Sequence, residues 1–384
     1  MNLNAIDDED RTKFRLIGDS VLKYRFTVPY DGRIFVGEVL KITDTVKQLT
    51  FFAKVTDLLH ESNFQDRKWD TRPYAERFYH LSEDVYLTVE AVPLGYVQDS
   101  GTFRKAKTIP TKFSRVEKPS ADDFGFLRRV MGEIEVGVMK SGQDVLKEVR
   151  VALHAKVMPQ HMGVFATTGM GKSNFMKVFC ASCMQVRQFG LLIVDPHGEY
   201  VAGGRSSSGE PTRGLLHVSA GRDGLSVFTI RDDAYRSKYA LSRLYLEHDD
   251  FRASDLNLLF DHSDAQRDVV ELLDDVRGSE LIQFFLSTEF DTFDASAYDG
   301  PFPHIARLLR SSHPGTLAVI KRHVSILVRG NPFLRTRGSA IPDILRALEE
   351  NRVVLIDIPG MGERSELFVL SVITRQIMQR HRSD

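Results

Sequence analysis

One nine-residue segment constrains the fold of this chain more than any other: Ala166-Thr-Thr-Gly169-Met-Gly171-Lys172-Ser173-Asn174. It follows a short apolar run at 162–165 and precedes a run at 175–179 that has the spacing of a helix. Strand, glycine-rich loop and helix in this order are typical of a phosphate-binding P-loop. The sequence therefore predicts an α/β nucleotide-binding domain with a strand at 162–165 and a helix that begins at Gly-Lys-Ser.

The chemistry of this segment suits a nucleoside triphosphate bound with Mg²⁺. Glycines let the backbone curl so that several N–H groups point at phosphate oxygens. Lys172 is expected to reach the β- and γ-phosphates and to act in catalysis, and Ser173 to hold Mg²⁺. A strict motif begins with glycine, whereas this chain has Ala166 there. The predicted nucleotide-binding residues are Thr168, Gly169, Met170, Gly171, Lys172, Ser173 and Asn174.

Two later segments place carboxylates at the ends of apolar, strand-like runs. Asp195 ends the run at 190–195 and begins Asp-Pro-His-Gly-Glu-Tyr, which brings Glu199 with it, and Asp357 ends the run at 352–357. Asp195 and Asp357 compete for the role of orienting Mg²⁺, because P-loop enzymes need acids at a neighbouring strand end. We expect Asp195 to take this role and Glu199 to activate the attacking water. The alternative is that each Asp only forms a turn. The chain has no Asn-Lys-x-Asp guanine-reading motif, so adenine is the favoured base and ATP the favoured nucleotide.

The rest of the chain suggests two domains. Residues 1–140 are rich in β-branched and aromatic runs, at 32–41, 48–55 and 85–92, and predict a small β-barrel. We expect residues 70–81 to form a loop or a short helix. Residues 141–384 predict a parallel α/β domain with a flexible Gly/Ser loop at 203–211 and a helical insertion at about 234–350.

Charge and cysteine content limit the classes of function. A net charge of −1 argues against a uniformly basic nucleic-acid coat, yet Arg104, Lys105, Lys107, Lys112 and Arg115 form a local basic stretch. That stretch either lines a nucleic-acid path or is a solvated face. Cys180 and Cys183 lack a second ligand pair for zinc, so we expect small buried helix residues. No apolar run is long enough for a membrane span and the acidic start is not a signal peptide, which predicts a cytoplasmic protein.

These motifs together resemble the HerA branch of the HerA/FtsK P-loop translocases over almost the whole chain. The resemblance rests on the segments at 132–137, 161–174 and 192–200, on Asp264-Ala-Gln266 in the helical insertion, and on 353–357 followed by a long helix. The Asp-Pro-His-Gly-Glu-Tyr element is its most specific part. The fold implied is a RecA-like P-loop NTPase domain with a helical insertion, preceded by a small N-terminal β-barrel.

The resemblance also implies a function. Such proteins form hexameric homo-oligomeric rings through which double-stranded DNA passes, with ATP bound between subunits. Partners are a NurA-like nuclease in DNA end processing or another effector in phage defence. Two rival functions stay open: a nucleotide-gated ring scaffold that regulates an effector enzyme, and a conjugation or secretion ATPase.

The chain departs from the family pattern at two places. Gln160 stands where relatives often carry an Arg before the P-loop strand. In relatives the Walker B strand with its acid pair lies after a helix that corresponds to 365–382, which puts that strand, and the neighbour-supplied Arg, beyond Asp384. On this comparison Asp357 is structural, and residues 1–384 alone are expected to bind ATP but to hydrolyse it slowly.

Overall fold

A computed structural model of the chain describes residues 14–16, 20–30, 32–62, 85–98, 100–167, 169–205, 209–219 and 221–383. The segment at 70–81 lies outside these residues. The chain divides into two compact units, Met1–Val157 and Met158–Asp384. The domain boundary at residue 140 stays a prediction.

The first unit is built from antiparallel strands. In chain order they are β1 Phe14–Leu16, β2 Tyr24–Pro29, β3 Val39–Asp44, β4 Leu49–Ser62, β5 Val85–Val97, β6 Phe103–Arg104, β7 Arg115–Glu117, β8 Ile134–Ser141 and β9 Asp144–Leu153. Seven of them follow the order β2-β1-β7-β3-β4-β5-β6, and β2 also pairs with β5, so the hydrogen-bonded order returns to its start. A separate hairpin joins β8 to β9.

Side chains alternate along these strands as the sequence predicts. Tyr24, Phe26 and Val28 of β2 are buried, and the residues between them are half-buried. The strand predicted at 32–41 begins later than expected, at Val39. The backbone turns at Gly37, with φ +87°, and the buried carboxylate of Glu38 accepts the N–H of Phe35 at 3.0 Å, which holds this segment in a turn.

The second unit alternates helices with mostly parallel strands. Its elements are α1 Lys172–Val186, β10 Leu191–Asp195, β11 Gly203–Arg205, β12 Pro211–Arg213, β13 Leu225–Thr229, α2 Asp233–Tyr239, β14 Ser242–Arg243, β15 Leu246–Glu247, α3 Asp255–Leu259, α4 Asp264–Leu272, α5 Gly278–Ser287, α6 Pro303–Leu308, α7 Pro314–Gly330, β16 Leu334–Arg335, α8 Ile341–Glu349, β17 Val353–Asp357 and α9 Glu363–Ser383. The order β10-β17-β13-β14 forms one parallel sheet. This mixed α/β architecture is consistent with a P-loop NTPase domain.

Position in the sheet explains how deeply each strand is buried. β17 lies between β10 and β13, and all five of its residues are buried. β10 stands at the end of the described strand order, and four of its five residues are half-buried. Continuous apolar runs are typical of strands covered on both faces. Parallel strands in the runs at 190–195 and 352–357 are confirmed, but the burial predicted for both runs holds for β17 and for only one residue of β10.

One prediction around this sheet, the strand at 162–165, is wrong. Residues 161–167 form neither strand nor helix, and Phe165 is 95% exposed. A short run that contains Gly163 has little strand preference of its own, and the described strands of this sheet pair with one another rather than with it. At the Gly/Ser segment β11 and β12 pair as an antiparallel hairpin, and the flexibility expected there stays a prediction. The tip at 206–208 lies outside the described residues.

Candidate P-loop and strand-end site

The P-loop segment leads directly into α1. Gly169 and Gly171 have φ of +84° and +85°, a left-handed conformation that side-chain-bearing residues rarely adopt. A Cβ at Gly171 would meet no atom within 4 Å, so backbone conformation, not space, requires glycine there. The N–H of Phe175 donates to the carbonyl of Gly171 at 2.9 Å, which closes the first turn of the helix.

The start of α1 has the features of an anion site. Gly171 caps the helix without a side-chain hydrogen bond, so no side chain of the cap competes for the first backbone N–H groups. Such groups, together with the helix dipole, attract phosphate. Lys172 and Asn174 are exposed and Ser173 is half-buried. Thr168 lies outside the described residues, and the nucleotide and Mg²⁺ roles of this set stay predictions.

Polar residues end three neighbouring strands at the same level. Asp195 of β10 pairs in register with Asp357 of β17, and Asp357 pairs in register with Thr229 of β13. All three side chains are therefore at the carboxyl edge of the parallel sheet, where ligands of open α/β sheets bind.

Asp195 shapes the loop that follows it. It is 1% exposed. One carboxylate oxygen accepts the N–H groups of Gly198 at 2.8 Å and His197 at 3.3 Å, and the other accepts the N–H of Tyr200 at 2.8 Å. This geometry is that of a turn former, the alternative that the sequence left open. A Mg²⁺ role for Asp195 stays a prediction, as does catalysis by Glu199, which is exposed in this loop.

Asp357 is held by Thr229 and Arg231. It is fully buried, accepts the hydroxyl of Thr229 at 2.6 Å, and accepts Nε of Arg231 at 2.8 Å. Burial lowers the pKa of Arg231, but the hydrogen bond and charge of Asp357 outweigh it, so the pKa of the guanidinium is raised overall. A buried carboxylate needs such partners.

Sequence reasoning missed Thr229 and Arg231. The run at 225–229, Leu-Ser-Val-Phe-Thr, is rich in β-branched and aromatic residues like a strand, and Arg231 follows its end by two residues. That pattern is the available signal. It does not reveal the partner, because Asp357 lies 126 residues further along the chain.

The remaining candidate groups are ordinary. Cys180 and Cys183 are buried free thiols, and burial raises the pKa of each to about 12, so the prediction of buried helix residues is confirmed. Among the described residues, no cluster of three His, Cys, Asp or Glu side chains could hold a metal ion. In that same part of the chain, no helix has the length and apolarity that crossing a membrane requires.

Comparison with known proteins agrees with the motifs. A family model described as the central domain of the helicase HerA matches residues 134–377. A probable helicase of Methanocaldococcus jannaschii is 41% identical over 73 residues, which are 18% of this chain and 13% of that protein. The DNA double-strand break repair helicase HerA of Pyrococcus furiosus is 28% identical over 144 residues, which are 37% of this chain and 24% of that protein. The matched segments thus span a quarter or less of these two relatives.

Proposed function

Because this chain belongs to the HerA helicase family, we propose that it is an ATP-driven subunit that moves double-stranded DNA through a hexameric ring. Supporting this proposal are the family match over residues 134–377 and the DNA repair helicase named among the relatives. The ring is proposed to work with a nuclease or another effector, in DNA end processing or in phage defence.

The observation that carries the proposal is the start of α1. Two glycines at positive φ precede Lys172 at the first position of the helix, and the helix lacks a side-chain cap. We assign ATP to this loop, Mg²⁺ to Ser173 with a further contact from Asp195, and water activation to Glu199. Mg²⁺ would neutralise the charge that develops on the phosphates, while Lys172 would supply a point charge to the β- and γ-phosphates.

The strand order of the first unit supports the barrel part of the proposal. Six strands, β1 to β5 and β7, form a cycle of pairings, and closure of a sheet is how small barrels remove unpaired edges. We propose that this unit is the N-terminal barrel and that it helps to assemble the ring and to dock the partner.

ATP turnover with and without double-stranded DNA tests the proposal. The protein should hydrolyse ATP faster when double-stranded DNA is added, and Lys172→Ala should abolish turnover. Turnover that does not respond to DNA would contradict a translocase.

One observation favours a second function, the nucleotide-gated ring scaffold. The carboxylates of Asp195 and Asp357 are both occupied by donors of the protein, so neither is poised to activate water. A scaffold would assemble its ring and effector on ATP binding, with the same assembly in a slowly hydrolysable ATP analogue. Light scattering with ATP and with the analogue, beside the turnover assay, separates the two functions.

A further inference from the structure

Arg231 contacts the ends of three structural segments. Its Nε and Nη2 donate to Asp357 at the end of β17, at 2.8 and 3.4 Å, and its backbone N–H donates to the hydroxyl of Thr229 at 3.1 Å. Nη2 also donates to the carbonyl of Gly198, in the loop after β10, at 3.4 Å. The guanidinium carbon lies 4.5 Å from the ring centre of Tyr235, which supports it from another side.

The approach of Arg231 to the loop depends on the absence of a side chain at Gly198. A Cβ there would lie 2.1 Å from Nη2 of Arg231 and 3.1 Å from Cβ of Pro359. Gly198 also has φ +70°. The glycine of Asp-Pro-His-Gly-Glu-Tyr therefore serves two needs at once, the turn and the close contact with the guanidinium.

Asp195 and Arg231 both hold the loop at 196–200. Asp195, which precedes the loop, accepts three of its backbone N–H groups. Arg231 donates to the backbone carbonyl of Gly198. The loop lies next to α1, since Nζ of Lys177 is 6.0 Å from the ring centre of Tyr200. Lys177 follows Lys172 by five residues, about 7.5 Å along a helix axis, so the loop flanks the proposed ATP site.

We propose that Arg231 is a positioning residue: it links the 196–200 loop, which carries His197 and Glu199, to the end of β17 and thereby sets where Glu199 stands for ATP hydrolysis. This inference rests on the proposed ATPase function. It explains why an arginine is needed, because one rigid guanidinium donates to two acceptors while stacking on Tyr235. A lysine ammonium keeps the charge near Asp357 but not the fork or the stacking.

Two variants test the link from opposite sides. Arg231→Lys preserves the charge beside Asp357, and Gly198→Ala pushes the guanidinium away from the loop. The matched control is Gly360→Ala, because Gly360 has a similar φ, +74°, but a Cβ there would meet nothing within 4 Å. It carries the same backbone strain without the contact to Arg231.

Two readouts are needed, and one of them does not involve ATP. Hydrogen exchange of the peptide containing 196–200, without nucleotide, should become faster in both variants than in the wild type and the control. The kcat of both variants should fall by about 10- to 100-fold while the Kd for ATP changes by less than about twofold, because misplacement of a catalytic group slows the reaction without removing binding contacts. Thermal unfolding should show both variants folded.

Unchanged loop exchange in Arg231→Lys would overturn the proposal, as would faster exchange with wild-type kcat. A loss in Gly360→Ala equal to that in Gly198→Ala would assign the effect to backbone strain, and would also overturn it. If the wild-type chain hydrolyses no ATP, the proposed function fails, and the exchange experiment still decides whether Arg231 holds the loop.

Discussion

At the scale of single residues, Asp357 at the end of β17 shows how a buried charge is accommodated. Asp357 is fully buried and depends on Thr229 and Arg231 for its hydrogen bonds. Removing one partner of a buried pair leaves the other uncompensated. The side chain of Arg231 is 28% exposed, so water offsets part of that cost.

We therefore expect Asp357→Asn to lower the free energy of unfolding by about 2 kcal/mol, below the usual range for breaking a fully buried pair. Urea unfolding measures this change. Asp291→Asn is the control, because it removes the same charge from an exposed loop position and should leave the midpoint unchanged. Equal midpoints for Asp357→Asn and the wild type would show that the Asp357–Arg231 pair adds nothing to stability.

The residue scale also shows what the sequence could reveal of the site. Gly169, Gly171 and Lys172 were predictable, because a local motif dictates both their conformation and their place before α1. The turn-forming role of Asp195 was predictable as an alternative, since its partners lie within five residues. Arg231 was not, because its contacts with Asp357 and Gly198 arise only when three distant strand ends are brought together.

At the scale of secondary-structure elements, a histidine pair connects the segment before α4 to α7. Nε2 of His262 lies 2.9 Å from Nδ1 of His323, and Nδ1 of His262 lies 2.7 Å from Oδ1 of Asn257. The ring of His323 stacks on Phe260 with ring centres 4.0 Å apart. Burial, then the charges of His262, Arg322 and Arg364, lowers the pKa of His323 to about 4.

This pKa predicts acid sensitivity. The pKa of an unfolded histidine is about 6.5, so below that pH the unfolded chain binds protons that the folded chain does not. The contribution of His323 to the free energy of unfolding should be fully present above about pH 6.5 and should be lost as the pH falls towards 4. The urea midpoint should drop between pH 7 and pH 5, and His323→Gln should reduce the drop. His304→Gln changes an exposed histidine and should leave the drop as large as in the wild type. Equal drops in both variants would assign the acid sensitivity to a group other than His323.

The β11–β12 hairpin carries Arg205 and Arg213, both exposed. If it contacts DNA phosphates, reversing both charges should weaken DNA binding and flatten its salt dependence, because each lost phosphate contact lowers the slope by about 0.9. Fluorescence anisotropy across a salt series measures both quantities. Reversal of Arg307, on α6, and of Arg310, in the turn after it, is the control, because both are exposed. An unchanged slope in the hairpin variant would place the DNA path elsewhere.

Strand and helix predictions succeeded or failed for identifiable reasons. β10, β17 and α9 were predictable from long apolar runs and from helical spacing. The strand predicted at 162–165 does not form, because a four-residue run needs a neighbouring strand to pair with, and pairing is not local information. The pairing of β11 with β12 was not predictable, because the Gly/Ser composition of this segment is typical of flexible loops.

At the scale of the whole molecule, the two compact units should have separable tasks. Deleting residues 1–157 should leave ATP binding by the second unit but weaken ring assembly or effector recruitment, because the strand-rich unit lacks the P-loop. Light scattering reports assembly and calorimetry reports binding. A deletion variant that still forms the same ring and the same complex would contradict a role of the first unit in assembly.

The central claim is that the loop before α1 binds ATP. Isothermal titration of ATP with Mg²⁺ into the wild-type chain and Lys172→Ala tests it most directly, with Lys156→Ala as an exposed-lysine control. We expect tight binding by the wild type and the control, and none detectable for Lys172→Ala, because the variant lacks the charge that faces the β- and γ-phosphates. Equal ATP affinity in Lys172→Ala and the wild type would contradict the P-loop assignment.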